Sequence, residues 1–159
     1  AYLEDCFLVR TCWIEAASER RRRVNPRKAY PVDMGFIPVF DRTGRANRGH
    51  ALETAVRIEL ERRRMEVTYV RTKQGYEVDF LARRAGERPM LIQVCAELDD
   101  SRTREREMRA LLAAAEEHPR ARLHLVTLTP ESVVGVPRDV HVHSAAVWLL
   151  VEHWHGEKP

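Results

Sequence analysis

The chain has 159 residues, a formal net charge of +3 and a hydrophobic content of 44%, which is enough apolar material for one folded domain and argues against disorder. No apolar run approaches the roughly 20 residues that a membrane-spanning helix needs. The start of the chain carries Glu4 and Asp5 in place of a positively charged secretion leader. Three cysteines without a close pair argue against a disulfide framework and a zinc finger. We therefore expect a cytoplasmic protein without a membrane partner and, since the first residue is not Met, a piece of a longer chain.

The positive charge is concentrated in the first third of the chain. Residues 1–50 hold ten Lys or Arg against six Asp or Glu, whereas the remainder holds 17 against 18. Such a cluster can hold phosphates and is a candidate nucleic-acid-binding surface. The alternative is a general preference for arginine, because only three of the 27 basic residues are Lys. The residues of the cluster are Arg20, Arg21, Arg22, Arg23, Arg27 and Lys28.

The predicted elements of the N-terminal third are short. Residues 7–15 are typical of a strand or a strand pair. The arginine run that follows is predicted to be a polar connection, and residues 29–32 form a second extended piece. Residues 40–49 are polar and contain Gly and Asn, which predicts a loop and an internal boundary. We therefore predict a basic, β-containing segment over residues 1–48, packed on a core over residues 49–159.

The core alternates helices and strands. Leu52, Val56 and Leu60 repeat at i+4 and predict a helix with one buried stripe over residues 49–64. The order from there is helix, strand, strand, strand, helix, strand, which predicts an α/β domain with a mixed sheet flanked by helices. The later elements are predicted at residues 67–71, 76–82, 90–95, Ser101–Glu117, 123–128, 140–142 and 145–153.

Two acidic residues share one predicted face of the second core strand. The period of two places Tyr76, Val78 and Phe80 on one face, and Glu77 and Asp79 on the other. Because strands disfavour Asp, Asp79 is the stronger candidate for a functional role. The alternative for both acids is the solvent-exposed face of a half-buried strand.

The third core strand carries one polar residue, Gln93, among apolar ones. A buried amide is costly without a partner, so we expect Asp79, or a metal ion that it binds, opposite Gln93. Glu53 on the first core helix offers a third oxygen. Such oxygens suit Mg²⁺, which can activate water and stabilise a phosphodiester under attack. The alternative for Glu53 is a surface ion pair with Arg57, four residues later.

Four stretches occur in an order that carries a family resemblance: residues 30–35 (YPVDMG), 49–53 (GHALE), 71–80 (RTKQGYEVDF) and 92–95 (IQVC). The chain resembles, over nearly its whole length, the uncharacterised C-terminal domain of bacterial and archaeal AAA-type ATPases. That family is in turn similar to the PD-(D/E)XK nuclease superfamily. The resemblance implies a restriction-endonuclease-like core, and it implies a nucleotide-binding module and a winged helix as the partners that precede this domain.

The same resemblance implies the site residues. Glu53 corresponds to the motif acid of the first core helix and Asp79 to the acid of the second strand, while Gln93 and Cys95 stand at the E-x-K pair. Gln93 brings no charge, and Cys95 cannot replace a lysine ammonium, so a weak Mg²⁺ site is expected, with Lys73 in the preceding hairpin as a displaced substitute. The P-loop motif is absent, and this segment is not expected to bind ATP in that way.

Two classes of function follow. One is a Mg²⁺-dependent DNA nuclease with Glu53, Asp79 and Gln93 as metal ligands, assisted by Lys73. The other is a catalytically degenerate module that binds nucleic acid or a protein partner for an attached ATPase. The loss of both Glu and Lys from the third motif favours the second class.

Histidines offer a further candidate site. His141 and His143 share one predicted strand face, and His153 and His155 lie near the end of the sequence. Without cysteines at ligand spacing a structural zinc site is disfavoured, and a solvated strand and tail are the preferred interpretation.

Overall fold

The computed structural model describes residues 2–40, 47–133 and 135–151. Most of the predicted loop at 40–49, the end of the predicted closing helix, His153 and His155 lie outside the described residues. Two short 3₁₀ turns, Met34–Phe36 and Pro130–Ser132, accompany the helices and strands. The helices and strands are, in chain order, α1 (Tyr2–Asp5), β1 (Val9–Ile14), α2 (Glu19–Val24), β2 (Lys28–Pro31), α3 (Ile37–Phe40), α4 (Arg48–Arg62), β3 (Glu66–Arg71), β4 (Glu77–Arg83), β5 (Met90–Cys95), α5 (Ser101–Glu117), β6 (Arg122–Thr127), β7 (Val140–Ser144) and α6 (Ala145–Leu150).

The strands form one mixed sheet in the order β2-β1-β3-β4-β5-β6-β7. The pairs β1–β3, β5–β6 and β6–β7 are parallel, and the pairs β1–β2, β3–β4 and β4–β5 are antiparallel. The predicted α/β class with a mixed, helix-flanked sheet is confirmed. The N-terminal segment contributes two of the strands, because β1 and β2 form one edge of this sheet. Among the described residues, no helix has the length and apolar character needed to cross a membrane.

Helices pack on both faces of the sheet, and a separate hydrophobic core lies between the sheet and the helices on each face. On one face, Leu52, Val56 and Leu60 of α4 and Trp148 of α6 pack with residues such as Phe80. On the other face, α5 packs against β4 and β5 through apolar residues that include Met108 and Leu111. The predicted buried stripe of α4 is confirmed, since all three of its residues are buried.

The arginine run forms a helix, which corrects the prediction of a polar connection. The hydroxyl of Ser18 accepts a hydrogen bond from the N–H of Arg21 and caps α2. The side chain of Asn25 donates to the carbonyl of Arg21 at the other end, at 2.7 Å. Arginine is a good helix former, so one cap at each end is enough to close this short helix.

A β-bulge in β4 changes the predicted faces of that strand. One residue of β3, Tyr69, lies opposite two residues of β4, Asp79 and Phe80, because the register shifts there. Val78 packs in the core under α5, whereas Phe80 packs in the core under α4. The prediction that Val78 and Phe80 share a face is therefore wrong. The bulge turns both Asp79 and Phe80 towards α4, and bulges commonly re-aim side chains in this way.

Candidate functional site

One ammonium group contacts three carboxylates between the sheet and α4. The Nζ atom of Lys28 lies 3.1 Å from Oε1 of Glu53, 2.8 Å from Oε1 of Glu77 and 3.0 Å from Oδ1 of Asp79. We call these four residues the Lys28 cluster. Glu53 and Asp79, which the sequence predicts as site residues, are thus brought together, and the group between them is a lysine.

Three elements place the four members. Lys28 is the first residue of β2, Glu53 lies in the second turn of α4, and Glu77 and Asp79 lie in β4 at and before the bulge. Tyr30, two residues after Lys28 on the same face of β2, donates its hydroxyl to Oε1 of Glu53 at 2.6 Å. Both β2 and α4 are therefore tied to the acids of the core strand.

Asp79 is the most enclosed member of the cluster. Its side chain is 12% exposed, and its Oδ2 atom accepts a hydrogen bond from the backbone N–H of Val94 at 3.0 Å. Since Oδ1 accepts from Lys28, both carboxylate oxygens have protein donors. The interpretation of Asp79 as part of a solvent-exposed strand face does not hold.

The electrostatics of the cluster follow from its charge count. Burial, and then the negative charge of Glu53, raise the pKa of Asp79 to about 7, although the charge of Lys28 and the N–H of Val94 act in the opposite direction. Burial by itself lowers the pKa of Lys28, but the charges of Asp79 and Glu53 outweigh burial and raise that pKa above its ordinary value. The pKa of Tyr30 is also raised, by burial and by Glu53. Lys28 is a permanent cation at neutral pH, whereas Asp79 titrates near neutrality.

The residues of the cluster fit a divalent ion only after Lys28 moves away. Carboxylate oxygens are the ligands that Mg²⁺ prefers, but one oxygen of each of the three acids is already in contact with the ammonium. A second cation at the same place would be repelled by the first. Within the described parts of the chain, no group of three or more His, Cys, Asp or Glu side chains is arranged to hold a metal ion.

Gln93 lies away from the Lys28 cluster. Its Nε2 atom donates to Oε2 of Glu107 on α5 at 2.6 Å, and both residues are buried. The expectation that Gln93 needs a polar partner is confirmed, but the expectation that Asp79 is that partner is wrong. Leu91, two residues earlier in the same strand, packs under α5, so the odd-numbered residues of β5 face α5 while Asp79 faces α4.

Cys95 follows Gln93 on the same side of β5 and packs at the edge of the core under α5. Burial and the nearby charge of Glu107 raise the pKa of the Cys95 thiol to about 11. At neutral pH the thiol is therefore uncharged, and it is neither a cation nor an activated nucleophile.

Two other predicted contacts differ from the structure. Lys73 is exposed in the turn between β3 and β4, where its backbone N–H donates to Glu117 at the end of α5. The lysine that reaches the acids is Lys28 instead. The predicted surface pair of Glu53 with Arg57 is also replaced, because Glu53 contacts Lys28 and Tyr30 while Arg57 lies 3.5 Å from Glu61.

The sequence groups Lys28 with the arginines of the predicted nucleic-acid-binding cluster, whereas in the structure its ammonium contacts the three acids. A signal for its role does exist in the sequence. It is one of only three lysines in an arginine-rich chain, and the spacing Lys28-x-Tyr30 places two long polar-tipped side chains on one face of a strand. Its acidic partners lie 25 or more positions away, so no local pattern identifies them.

The arginines of the predicted cluster lie on and after α2. Arg20, Arg21 and Arg23 are exposed on the helix, and Arg23 pairs with Glu19 at 3.3 Å. Arg27 places its guanidinium carbon 3.5 Å from the ring centre of Trp13. Trp13 was not a predicted site residue, and the sequence shows only that it lies six residues before the first residue of α2.

The histidine strand is not solvated along its length, which corrects the preferred interpretation. His143 is buried, and its Nε2 atom lies 2.8 Å from Nδ1 of His124 on β6. The rings of His124, His141 and His143 stack, with the two closest centroids 5.1 Å apart. Burial, and then the neighbouring imidazoles, lower the pKa of His124 to about 3 and that of His143 to about 4. His124 and His143 are therefore neutral rings packed within the sheet.

The chain matches no protein-family model, no curated protein and no solved structure. A functional assignment therefore depends on the Lys28 cluster, on the position of Gln93 and on the arginine-rich surface.

Proposed function

We propose that this chain is a nuclease-like domain that has lost catalysis and that binds nucleic acid for an attached AAA-type ATPase. The observation that carries the proposal is the Lys28 cluster, in which one ammonium occupies the space between the acids that a metal-dependent nuclease would offer to its ion. A metal in such a nuclease must be open to both water and a phosphate oxygen. Here the contacts of Glu53, Glu77 and Asp79 hold the site closed around a protein cation.

The third strand supports the loss of catalysis. A nuclease of the resembling superfamily needs an acid and a lysine there, and this chain has Gln93 and Cys95. Gln93 is bound to Glu107 on the opposite side of the sheet from Asp79, and Cys95 is uncharged at neutral pH. Neither residue can offset the charge of a phosphodiester under attack.

The surface around α2 supports nucleic-acid binding. Among the described residues, no carboxylate lies within ion-pair distance of Arg20, Arg21, Arg22 or Arg27, whereas Arg23 is paired with Glu19. Unpaired guanidinium groups in a cluster bind phosphates and release counterions from nucleic acid. Binding through them is independent of the Lys28 cluster, which lies between β2 and α4.

The test combines cleavage and binding. The purified protein is incubated with linear, branched and single-stranded DNA in Mg²⁺ or Mn²⁺, beside an Asp79→Ala control. We expect no cleavage, together with binding that weakens as salt is raised. Replacing Arg20, Arg21, Arg22 and Arg23 by Ala should weaken binding and flatten its salt dependence. The matched control removes the same charge from exposed arginines elsewhere, at Arg88, Arg102, Arg109 and Arg120.

An active Mg²⁺-dependent nuclease is the second candidate. It is favoured by one observation, namely that Lys28 brings to Glu53 and Asp79 the ammonium that Cys95 lacks. In that case Lys28 would withdraw when a metal binds, and cleavage would appear in Mg²⁺ and disappear in Asp79→Ala. Absence of both cleavage and binding would reject both candidates and favour a protein-binding role.

A further inference from the structure

We infer that the surface formed by Trp13, Arg22 and Arg27 is a stacking platform for an unpaired base, so that the nucleic acid bound by this domain is single-stranded. The inference rests on the proposed nucleic-acid binding and names its substrate class. Trp13 and the Arg27 guanidinium that lies over its ring together form the surface on which the base stacks, and the arginines of α2 contact the phosphates on either side of the base.

Trp13 lies on the less covered side of the sheet edge. Its neighbours in β1, Cys12 and Ile14, are buried in the core under α4, so Trp13 points to the opposite face. On that face α5 packs against β4 and β5, and β1 is separated from β4 by β3. Trp13 is accordingly only half-buried.

Two guanidinium groups lie over the indole ring. The guanidinium carbon of Arg27 is 3.5 Å from the ring centre and that of Arg22 is 5.8 Å from it. The first distance is that of direct contact between the guanidinium carbon and the ring face, and such a contact is a cation–π interaction. Bases stack on aromatic rings and on guanidinium planes alike, so this group presents two kinds of surface for a base.

The acids near the platform have partners of their own. Glu4 accepts a hydrogen bond from Thr11, Glu15 binds Arg83 at 2.7 Å, and Glu19 binds Arg23. Among the described residues, none of these acids makes an ion pair with Arg22 or Arg27, although the charge of Arg27, after the hydrogen bond from Thr11, helps to lower the pKa of Glu4. The positive charge of these two arginines complements a phosphate backbone.

The aromatic ring favours a single strand over a duplex. Paired bases are stacked on each other and offer only phosphates to an arginine cluster, whereas unpaired bases expose a π face to a protein ring. Arginines alone would bind both forms. A tryptophan among them adds affinity only for the form whose bases can reach it.

The experiment measures binding of a labelled oligothymidylate of about 16 nucleotides and of a duplex of the same length, by fluorescence anisotropy. Trp13→Leu keeps apolar bulk in the strand but removes the π face, and Trp13→Phe restores a ring. Phe7→Ala is the matched control, because Phe7 is also an exposed ring beside an arginine, at the other end of β1. Circular dichroism confirms that each variant is folded.

We expect Trp13→Leu to weaken oligothymidylate binding about fivefold or more and to leave duplex binding unchanged, with Trp13→Phe in between and Phe7→Ala unaffected. The inference would be overturned if Trp13→Leu lost the same affinity for both nucleic acids, or if the folded variant lost none. In either case, salt-dependent binding by the wild type would still support the proposed function. If the wild type binds neither nucleic acid, the proposed function itself fails.

Discussion

The Nζ atom of Lys28 lies 3.0 Å from Oδ1 of Asp79, although 51 positions separate the two residues in the chain. The contact joins β2, at one edge of the sheet, to the bulge of β4 near its middle. Because Lys28 also contacts Glu53 on α4, the N-terminal strands, the core strand and the first long helix share one ion cluster. Its integrity should therefore control both stability and access to the acids.

Replacement of Lys28 by Met should destabilise the protein. The change leaves three acids without their shared cation in a partly buried place, and loss of one partner of a buried pair typically costs 3–5 kcal/mol. Since Lys28 is about one-fifth exposed, we expect the free energy of unfolding to fall by roughly 2–4 kcal/mol in urea denaturation. Lys73→Met, in an exposed turn, should change it by less than about 0.5 kcal/mol. Equal effects of the two variants would show that the cluster contributes nothing specific.

The same variant should acquire affinity for a divalent ion. Without the ammonium, Glu53, Glu77 and Asp79 present unneutralised oxygens at one place, and Mn²⁺ bound to the folded state alone would stabilise it. We expect the melting temperature of Lys28→Met to rise with Mn²⁺ and that of the wild type to stay constant. The double variant Lys28→Met/Asp79→Asn is the control that should lose the effect. A comparable rise in the wild type would instead favour the active nuclease.

The order and type of the main elements could be predicted from the sequence because they depend on local periodicity. Ser101–Glu117 has the predicted bounds, and the i+4 stripe of α4 is buried as expected. The helix of the arginine run was not predicted because it has no apolar stripe. Its ends are capped by hydrogen bonds of Ser18 and Asn25. Short helices held by caps have no hydrophobic period to detect.

The site was predicted only in part, for reasons of register and distance. Alternation along β4 assumes a regular strand, and the bulge at Asp79 breaks that assumption. Because of the bulge, Asp79 faces α4 and lies away from Gln93. The sequence analysis expected these two residues to lie opposite each other. The role of Lys28 depends on long-range pairing of β1 with β3, which no local pattern of residues specifies.

Gln93 and Glu107 should show strong coupling in a double-mutant cycle. Their contact is 2.6 Å long and buried, so Glu107→Leu leaves the Nε2 atom of Gln93 without its acceptor. Glu107 has a second partner, because its Oε1 atom accepts from Arg106. With Gln93→Leu and Glu107→Leu we expect an interaction energy of about 1–3 kcal/mol and no change in nucleic-acid binding. The exposed pair Arg84 and Glu87 is the control, expected to couple by less than about 1 kcal/mol. Weak coupling of Gln93 with Glu107 would contradict a structural role for this glutamine.

The buried histidines should make the protein less stable in acid. Their pKa values in the folded state, about 3 for His124 and about 4 for His143, lie below the ordinary value of 6.5. As the pH falls from 6.5 towards 4, these two histidines become protonated in the unfolded chain but stay neutral in the folded protein. The free energy of unfolding therefore decreases over this interval. The double variant His124→Gln/His143→Gln should lose less stability over this interval than the wild type does. A steeper loss in the variant would contradict the depressed pKa values.

Asp79 should act in the opposite direction over nearly the same interval. Its pKa is raised to about 7 in the folded state, by burial and by Glu53, from an ordinary value of 3.8. Between pH 7 and about 4 the folded protein holds a proton that the unfolded chain has released, so this residue adds stability as the pH falls, by at most about 1.4 kcal/mol per pH unit. Asp79→Asn cannot titrate and should lose that gain. The difference in unfolding free energy, wild type minus Asp79→Asn, should therefore grow as the pH is lowered from 7 to 4.5. A difference that shrinks over this range would mean that Lys28 holds Asp79 ionised, and would contradict the raised pKa of Asp79.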